Sequence, residues 1–228
     1  MAAEPLGDRS FVGYRRRLIE EIRERGIDDL EVLHLFDQVP RHVFLPQGVW
    51  PRAYEDAPIP IGYSQTASQP SLQALYLSIL KPTTDETVLE IGTGSGYLTA
   101  LLAMTANRVY SVERVRELSA RARVALDELR LKNVALMVGD GTIGWRKYAP
   151  FDVIVVSAAS PSIPEAFLDQ LGEGGRMLIP VGSREHQDLI LVRREDGEIQ
   201  QEVIQDGCTF VPLLGQFAWA SEHPEAGA

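Results

Sequence analysis

Three glycines at alternate positions, Gly92, Gly94 and Gly96, close the apolar run Val88-Leu89-Glu90-Ile91 and stand just before Tyr97. An apolar strand that stops so sharply in glycine turns into a helix, because glycine tolerates left-handed backbone and lets another molecule approach the main chain closely. The helix beginning near Tyr97 then aims unpaired N–H groups at whatever lies above it. Spacing separates two kinds of cradle. A nicotinamide-binding turn reads G-x-G-x-x-G, whereas here the pattern is G-x-G-x-G with Thr93 and Ser95 in the gaps. The shorter pattern favours S-adenosylmethionine over a dinucleotide, the bland alternative being glycines that serve only a tight turn.

Two carboxylates extend that chemistry. Glu113 ends the second apolar strand, where it can accept hydrogen bonds from both hydroxyls of a ribose. Asp140, in Gly139-Asp140-Gly141, follows the third strand, where it can accept from an adenine amino group. Either acid alone is more often a solvated loop residue; the two in order at successive strand ends are a stronger sign. His34, His42, His186 and His223 show no metal-ligand spacing, and the single Cys208 cannot complete a thiolate site, so no structural or catalytic metal is predicted. Cys208 itself reads as a small apolar residue in a strand.

The elements that must hold these groups alternate strand and helix, the pattern of a mostly parallel sheet covered on both faces. Strands are predicted at Thr87–Ile91, Arg108–Val112, Val134–Val138, Asp152–Val156 and Arg176–Val181. Helices are predicted at Tyr97–Ala106, Glu117–Leu129 and Ile163–Leu171, the last ended by Gly174-Gly175. From Asp188 the texture changes to short strands separated by Gly197 and Gly207, which suits an antiparallel edge. Residues 1–70 look different: two amphipathic helices, Phe11–Arg25 and Asp28–Val39, the second capped by Asp28 or Asp29, lead into a long stretch punctuated by prolines. Its aromatic and apolar content needs something to pack on, which makes it a lid or wall over the cofactor cleft. One domain is expected over residues 1–228, with 1–70 as the cap, 71–220 as the α/β core and 221–228 as a frayed tail.

Composition narrows the partners. With 32 acidic against 22 basic residues, the formal charge of −10 opposes the counterion release on which duplex nucleic-acid binding depends. There is no apolar run long enough for a membrane span and no secretory signal, and one cysteine suits a reducing compartment, so a cytosolic (cytoplasmic) protein is expected.

Beyond these features the sequence resembles the protein-L-isoaspartate (D-aspartate) O-methyltransferases, which begin the repair of isomerised aspartyl residues. The resemblance runs from Val39-Pro40-Arg41 through Ala53-Tyr54-Glu55-Asp56, Gln65-Thr66-Ala67-Ser68-Gln69-Pro70, the glycine cradle, Ser111-Val112-Glu113-Arg114 and Gly139-Asp140-Gly141 to Phe210-Val211-Pro212-Leu213. The cradle says only methyltransferase; Q-T-x-S-Q-P and F-V-P-L are specific to this family. The implied fold is that of a class I S-adenosylmethionine-dependent methyltransferase: a Rossmann-like α/β, doubly wound, mostly parallel sheet with an antiparallel C-terminal edge and an N-terminal helical and loop cap. Ser68 matches the active-site serine. The implied cofactor set is Gln65, Thr66, Gly92, Thr93, Gly94, Gly96, Glu113, Arg114, Asp140 and Gly141, for S-adenosyl-L-methionine with S-adenosyl-L-homocysteine as product and no metal. The implied acceptor set is Ile61, Tyr63, Val211, Pro212 and Leu213, the partners being isoaspartyl-containing proteins and peptides. The chain departs from the family at the substrate mouth, where Gly62-Tyr63-Ser64 replaces a usual Gly-His-Gly or Gly-Gln-Gly and Ala67 a usual isoleucine.

The chemistry follows from the groups. An isoaspartyl residue exposes an α-carboxylate already ionised at neutral pH, a nucleophile that needs no general base. Alignment of oxygen, methyl carbon and sulfur is then the task, and a hydroxyl such as that of Ser68 can orient the carboxylate. Ser68 equally suits an N-cap for the helix after Pro70. In this family the methyl ester closes to a succinimide that can reopen to normal aspartate. Two other readings remain: a carboxyl O-methyltransferase dedicated to one peptide or small acid, and a noncatalytic S-adenosylmethionine-binding module.

Overall fold

The computed structural model describes residues 8–220, so the tail expected at 221–228 lies outside the described residues. Five strands, β3 (Thr87–Ile91), β4 (Arg108–Glu113), β5 (Val134–Val138), β6 (Phe151–Val156) and β7 (Leu171–Gly182), form the parallel part of a seven-stranded sheet. The order is β5-β4-β3-β6-β7-β8-β9, with β8 (Gln187–Glu195) and β9 (Glu198–Cys208) antiparallel at the edge. Strand order therefore reverses at β3, which opens a crevice beyond the carboxyl ends of β3 and β6.

Central strands are apolar on both faces because both are covered. Val153 and Val155 of β6 enter one core cluster and Ile154 and Val156 the other, the two-residue period of a strand. The first cluster takes α1 (Asp8–Glu24), α2 (Leu30–Gln38), α3 (Pro70–Leu80), α4 (Tyr97–Thr105) and α5 (Arg116–Glu128), through Leu18, Phe36, Leu77, Leu101 and Leu126. On the opposite face Phe167 of α6 (Glu165–Gln170) packs with Phe151 and Met177.

Two expectations need correction. Gly174-Gly175 do not end a helix. Helix α6 starts after Pro164 and stops at Gln170, where Arg194 donates to the carbonyls of Leu168 (2.7 Å) and Leu171 (3.0 Å) and so satisfies the helix end. The glycines lie within β7, where pairing with β6 jumps from Leu171 to Arg176 and Gly174 takes φ +72°. The edge strands are also long rather than short, with 9 residues in β8 and 11 in β9. They turn at Asp196-Gly197, both at positive φ, while Gly207 is absorbed in an irregular stretch of β9.

Of the two possible caps, Asp29 opens α2, accepting from the N–H groups of Glu31 (3.1 Å) and Val32 (3.4 Å). The stretch after α2 contains 3-10 turns at Arg41–Phe44 and Gln47–Arg52 and a small antiparallel hairpin, β1 (Ile59–Gly62) with β2 (Gln65–Ala67). At the hairpin tip Tyr63 (φ 54°) and Ser64 (φ 57°) occupy the left-handed region without being glycine, a sparsely populated conformation. Arg121 of α5 braces that turn, donating to the Ile61 carbonyl at 3.2 Å with its guanidinium 5.5 Å from the Tyr63 ring centre.

Candidate active site

Backbone geometry builds the cradle. Gly92 (φ 93°), Gly94 (φ 53°) and Gly96 (φ 86°) all adopt left-handed backbone as β3 turns into α4. At Gly96 the reason is packing as well: a Cβ there would sit 2.8 Å from the Ala122 Cβ of α5. Gly92 and Gly94 instead line an open cleft. Strand ends contribute to its lining, with Ile91 of β3 and Gly92 after it, Val112 and Glu113 of β4, and Ser157 and Ala158 after β6. Gln65, Thr66, Ala67 and Ser68 from the hairpin end, and Val211, Pro212, Leu213 and Leu214 from the later segment, complete the lining.

Glu113 is buried at the strand end and both its oxygens are engaged, Oε2 by the Gly94 N–H (2.8 Å) and Oε1 by the Val115 N–H (2.9 Å). A carboxylate retains further lone pairs, so it can clamp the cradle and still accept from a ligand hydroxyl. Behind the cradle lies a second acid. Glu90 of β3 is wholly buried, and its Oε2 accepts from the hydroxyls of Thr99 (2.5 Å) and Ser111 (2.6 Å). Ser111 in turn meets Thr93 of the cradle at 2.5 Å, so a chain of hydroxyls links Glu90 to the loop. Burial pushes the Glu90 carboxyl up to about 7, and nearby Glu113 adds to the rise, against the lowering effect of the two hydroxyls.

Ser68 sits between β2 and α3. The cap position of α3 is Gln69, which makes no side-chain cap, and the helix end is met instead by Asp56, whose carboxylate accepts from the Ser71 N–H at 2.8 Å. Ser68 is thus not the cap, and the residue lines the cleft. Its backbone is fixed by Arg41, a fully buried guanidinium that donates to the carbonyls of Ser68 (3.0 Å), Ala53 (2.9 Å) and Glu55 (3.2 Å). Desolvation lowers Arg41 to about 10, which leaves it charged at neutral pH.

The cleft therefore brings together Ser68, Gln65, Thr66, Gly92, Thr93, Gly94, Glu113, Arg114, Gly141, Val211, Pro212 and Leu213. Four expected site residues lie elsewhere. Gly96 is buried behind the loop against Ala122. Ile61 faces the opposite side of the cradle, in an apolar groove shared with Gly94 and Ser95, and Tyr63 is exposed on the hairpin tip. Asp140 is turned away from the cleft: Oδ1 accepts from the Thr142 N–H (2.8 Å) and hydroxyl (2.7 Å), and Oδ2 from the Gln216 N–H (2.8 Å). Sequence reasoning missed Gln73, Ser95, Leu98, Ser157, Ala158 and Leu214 on the lining, and Arg41 and Glu90 behind it. Glu90 had a signal, a carboxylate inside an otherwise apolar strand; so had Arg41, in the quoted Val39-Pro40-Arg41. Among the described residues one trio, His186, Asp188 and Asp206, brings possible ligand atoms within 4.8 Å of one another, and none of the three lines the cleft.

A reversed-order sheet, a glycine cradle that a Cβ at Gly92 or Gly94 would strain, and an acid at the next strand end fit an adenosyl cofactor. They define a class I S-adenosylmethionine-dependent methyltransferase. The model of the protein-L-isoaspartate(D-aspartate) O-methyltransferase family matches residues 14–218, and the chain belongs to that family. It is 47% identical over 211 residues to a protein-L-isoaspartate O-methyltransferase of Geobacter metallireducens, covering 92% of this chain and 97% of the relative. With one from Trichlorobacter lovleyi the identity is 48% over 207 residues, covering 90% and 95%. The crystal structure of a Plasmodium falciparum protein described as a putative member, in complex with S-adenosyl-L-homocysteine, superposes with a TM-score of 0.79 at 27% identity, covering 88% of this chain and 98% of that one.

Proposed function

We propose that this chain transfers a methyl group from S-adenosyl-L-methionine to the α-carboxylate of L-isoaspartyl residues in proteins and peptides, with Ser68 orienting that carboxylate. The observation that carries the reading is that Ser68 and Val211–Leu213 line the same cleft as Gly92, Gly94 and Glu113. When bound, the cofactor supplies an electrophilic methyl carbon on a sulfonium.

The protein's own residues do the rest. Glu113 and the cradle backbone hold the adenosyl end, with Arg114, Gln65 and Thr66 along its edge. The Ser68 hydroxyl donates to one carboxylate oxygen of the acceptor and leaves the other free to attack. Since that carboxylate is ionised at neutral pH, no residue has to remove a proton. Gln65–Ser68 and Val211–Leu213 keep water from the reacting atoms and restrict the approach of the nucleophile. Orientation of this kind supplies about 7–11 kcal/mol in favourable cases. Arg41 contributes by fixing the backbone from which the hydroxyl projects. A cytoplasmic location belongs to the same reading and is supported by a free, buried Cys208. Among the described residues no helix is long and apolar enough to cross a membrane.

The test uses labelled S-adenosyl-L-methionine and matched peptides containing isoaspartate or aspartate. Base-labile label should enter the first alone, because aspartate displaces the carboxylate by one methylene and misplacement near 1 Å costs about 100-fold. Equal labelling of both peptides refutes the proposal. Labelling confined to one peptide sequence favours a dedicated enzyme instead.

A further inference from the structure

Thr142 lies outside every site considered so far, yet its buried hydroxyl ties the turn after β5 to the segment that follows Leu214. It donates to Asp140 Oδ1 at 2.7 Å and accepts from the Phe217 N–H at 3.1 Å. One residue earlier, the Gln216 N–H donates to Asp140 Oδ2 at 2.8 Å. Gly215 completes the close approach, since a Cβ there would overlap the Asp140 carboxylate. The segment so held is a closed loop. The Gly215 N–H donates to the Trp219 carbonyl at 3.1 Å and the Trp219 N–H to the Leu213 carbonyl at 3.1 Å. Leu213 is the last residue of the proposed acceptor wall, and its own N–H donates to the Ala159 carbonyl at 2.6 Å.

We infer that Thr142 and Asp140 form a latch that positions the acceptor wall Val211–Leu213 from the adenosyl side of the cleft, with Thr142 as a positioning residue for methyl transfer. On its other edge the wall is held by backbone bonds to Ala159 and by the packing of Leu213 and Val211 on the core cluster around Phe167. Releasing Phe217 and Gln216 frees Leu213 and Leu214 to shift, whereas Gly92, Gly94 and Glu113 keep their own contacts. A carboxylate offers about four lone-pair positions, and three donors already use those of Asp140. Two of the three come from Thr142 and one from Gln216, so the carboxylate is shared between the turn after β5 and the loop. This rests on Val211–Leu213 being the acceptor wall of the methyltransferase proposed above.

Three variants of the full chain test the latch. Thr142→Val keeps the branched shape and removes the hydroxyl; Thr142→Ser restores it; Gly215→Ala strains the latch from the loop side. In Thr142→Val and in Gly215→Ala the KM for an isoaspartyl peptide, at saturating S-adenosyl-L-methionine, should rise roughly 3- to 10-fold, the loss expected from one or two hydrogen bonds. Both kcat and the calorimetric affinity for S-adenosyl-L-homocysteine should stay within about twofold, and Thr142→Ser should recover the wild-type KM. Amide exchange at Phe217 reads the latch without any acceptor and should accelerate in Thr142→Val. An unchanged peptide KM in both variants, a loosened homocysteine-product affinity in step with KM, or unchanged exchange at Phe217 overturns the inference. A wild-type protein that ignores isoaspartyl peptides but shows the exchange effect refutes the acceptor reading and leaves the latch standing. Should Thr142→Val not fold, Gly215→Ala alone decides.

Discussion

Replacing Glu90 by Gln removes a buried carboxyl whose proton release is displaced to about 7 from an ordinary 4.5. Between those two values the native state holds a proton that the unfolded chain has released, so native stability falls as pH rises through the window and levels off above it. At about 1.4 kcal/mol per tenfold change, the full loss is on the order of 3 kcal/mol. The Gln carbonyl can take the place of Oε2 and accept from Thr99 and Ser111, while its amide replaces Oε1, which has no hydrogen-bond partner among the described residues. An unmatched buried donor costs about 1–3 kcal/mol, and that cost does not vary with pH. The prediction therefore concerns a slope. Urea or thermal unfolding of both proteins from pH 4.5 to 8 should show the wild type losing stability relative to Glu90→Gln as pH rises, by about 2–4 °C in midpoint for each kcal/mol. Other titrating groups are common to both proteins and cancel in the difference. Parallel profiles would refute the reasoning and mean that Glu90 is neutralised or hydrated in some other way.

Glu113→Ala should weaken S-adenosyl-L-homocysteine binding by roughly 10- to 100-fold, since charge-assisted hydrogen bonds contribute about 1.5–3 kcal/mol; an unchanged calorimetric dissociation constant would move ribose recognition to another residue. Ser68→Ala should cut kcat on an isoaspartyl peptide roughly 10- to 100-fold with product affinity kept within a few-fold, and full turnover at saturating peptide would reduce Ser68 to a spacer. Gly96→Ala should lower thermal stability by about 1–3 kcal/mol, because its Cβ would meet Ala122 at 2.8 Å from a left-handed backbone; an unchanged melting midpoint would show that α5 yields freely.

What could be read from sequence was whatever local chemistry dictates. Strands β3 and β5 fall where the apolar runs predict, at Thr87–Ile91 and Val134–Val138, because a short apolar run bounded by polar residues and glycine carries the strand signal in its own residues. The hairpin β1–β2 carried no such sign. Its turn is Tyr63-Ser64, held at positive φ by Arg121 rather than by an Asn-Gly pair, so the determinant lies in a distant helix. The same holds for the end of α6, where Arg194 from β8 does what Gly174-Gly175 had been expected to do. In the site, the glycines and Glu113 were legible because strand ends fix their place. The orientation of Asp140 was not, for its partners Gln216 and Phe217 come from a loop that returns from the far end of the chain.

The bonds around Asp140 also bear on how the protein itself ages. Asp140-Gly141, Asp196-Gly197 and Asp206-Gly207 are sequences in which the nitrogen of a glycine, a residue with no side chain of its own to hinder it, can attack the preceding side-chain carboxyl. At Asp140 three donors pin the carboxylate toward Thr142 and Gln216, away from that attack. Asp196 and Gly197 sit exposed at the tip of the β8–β9 turn. Peptide mapping after prolonged incubation should find isomerised aspartate at 196 before it appears at 140. An enzyme whose substrate is chemical wear then carries its own wear on an edge hairpin, with the cofactor end of its cleft shielded by the latch that shapes it.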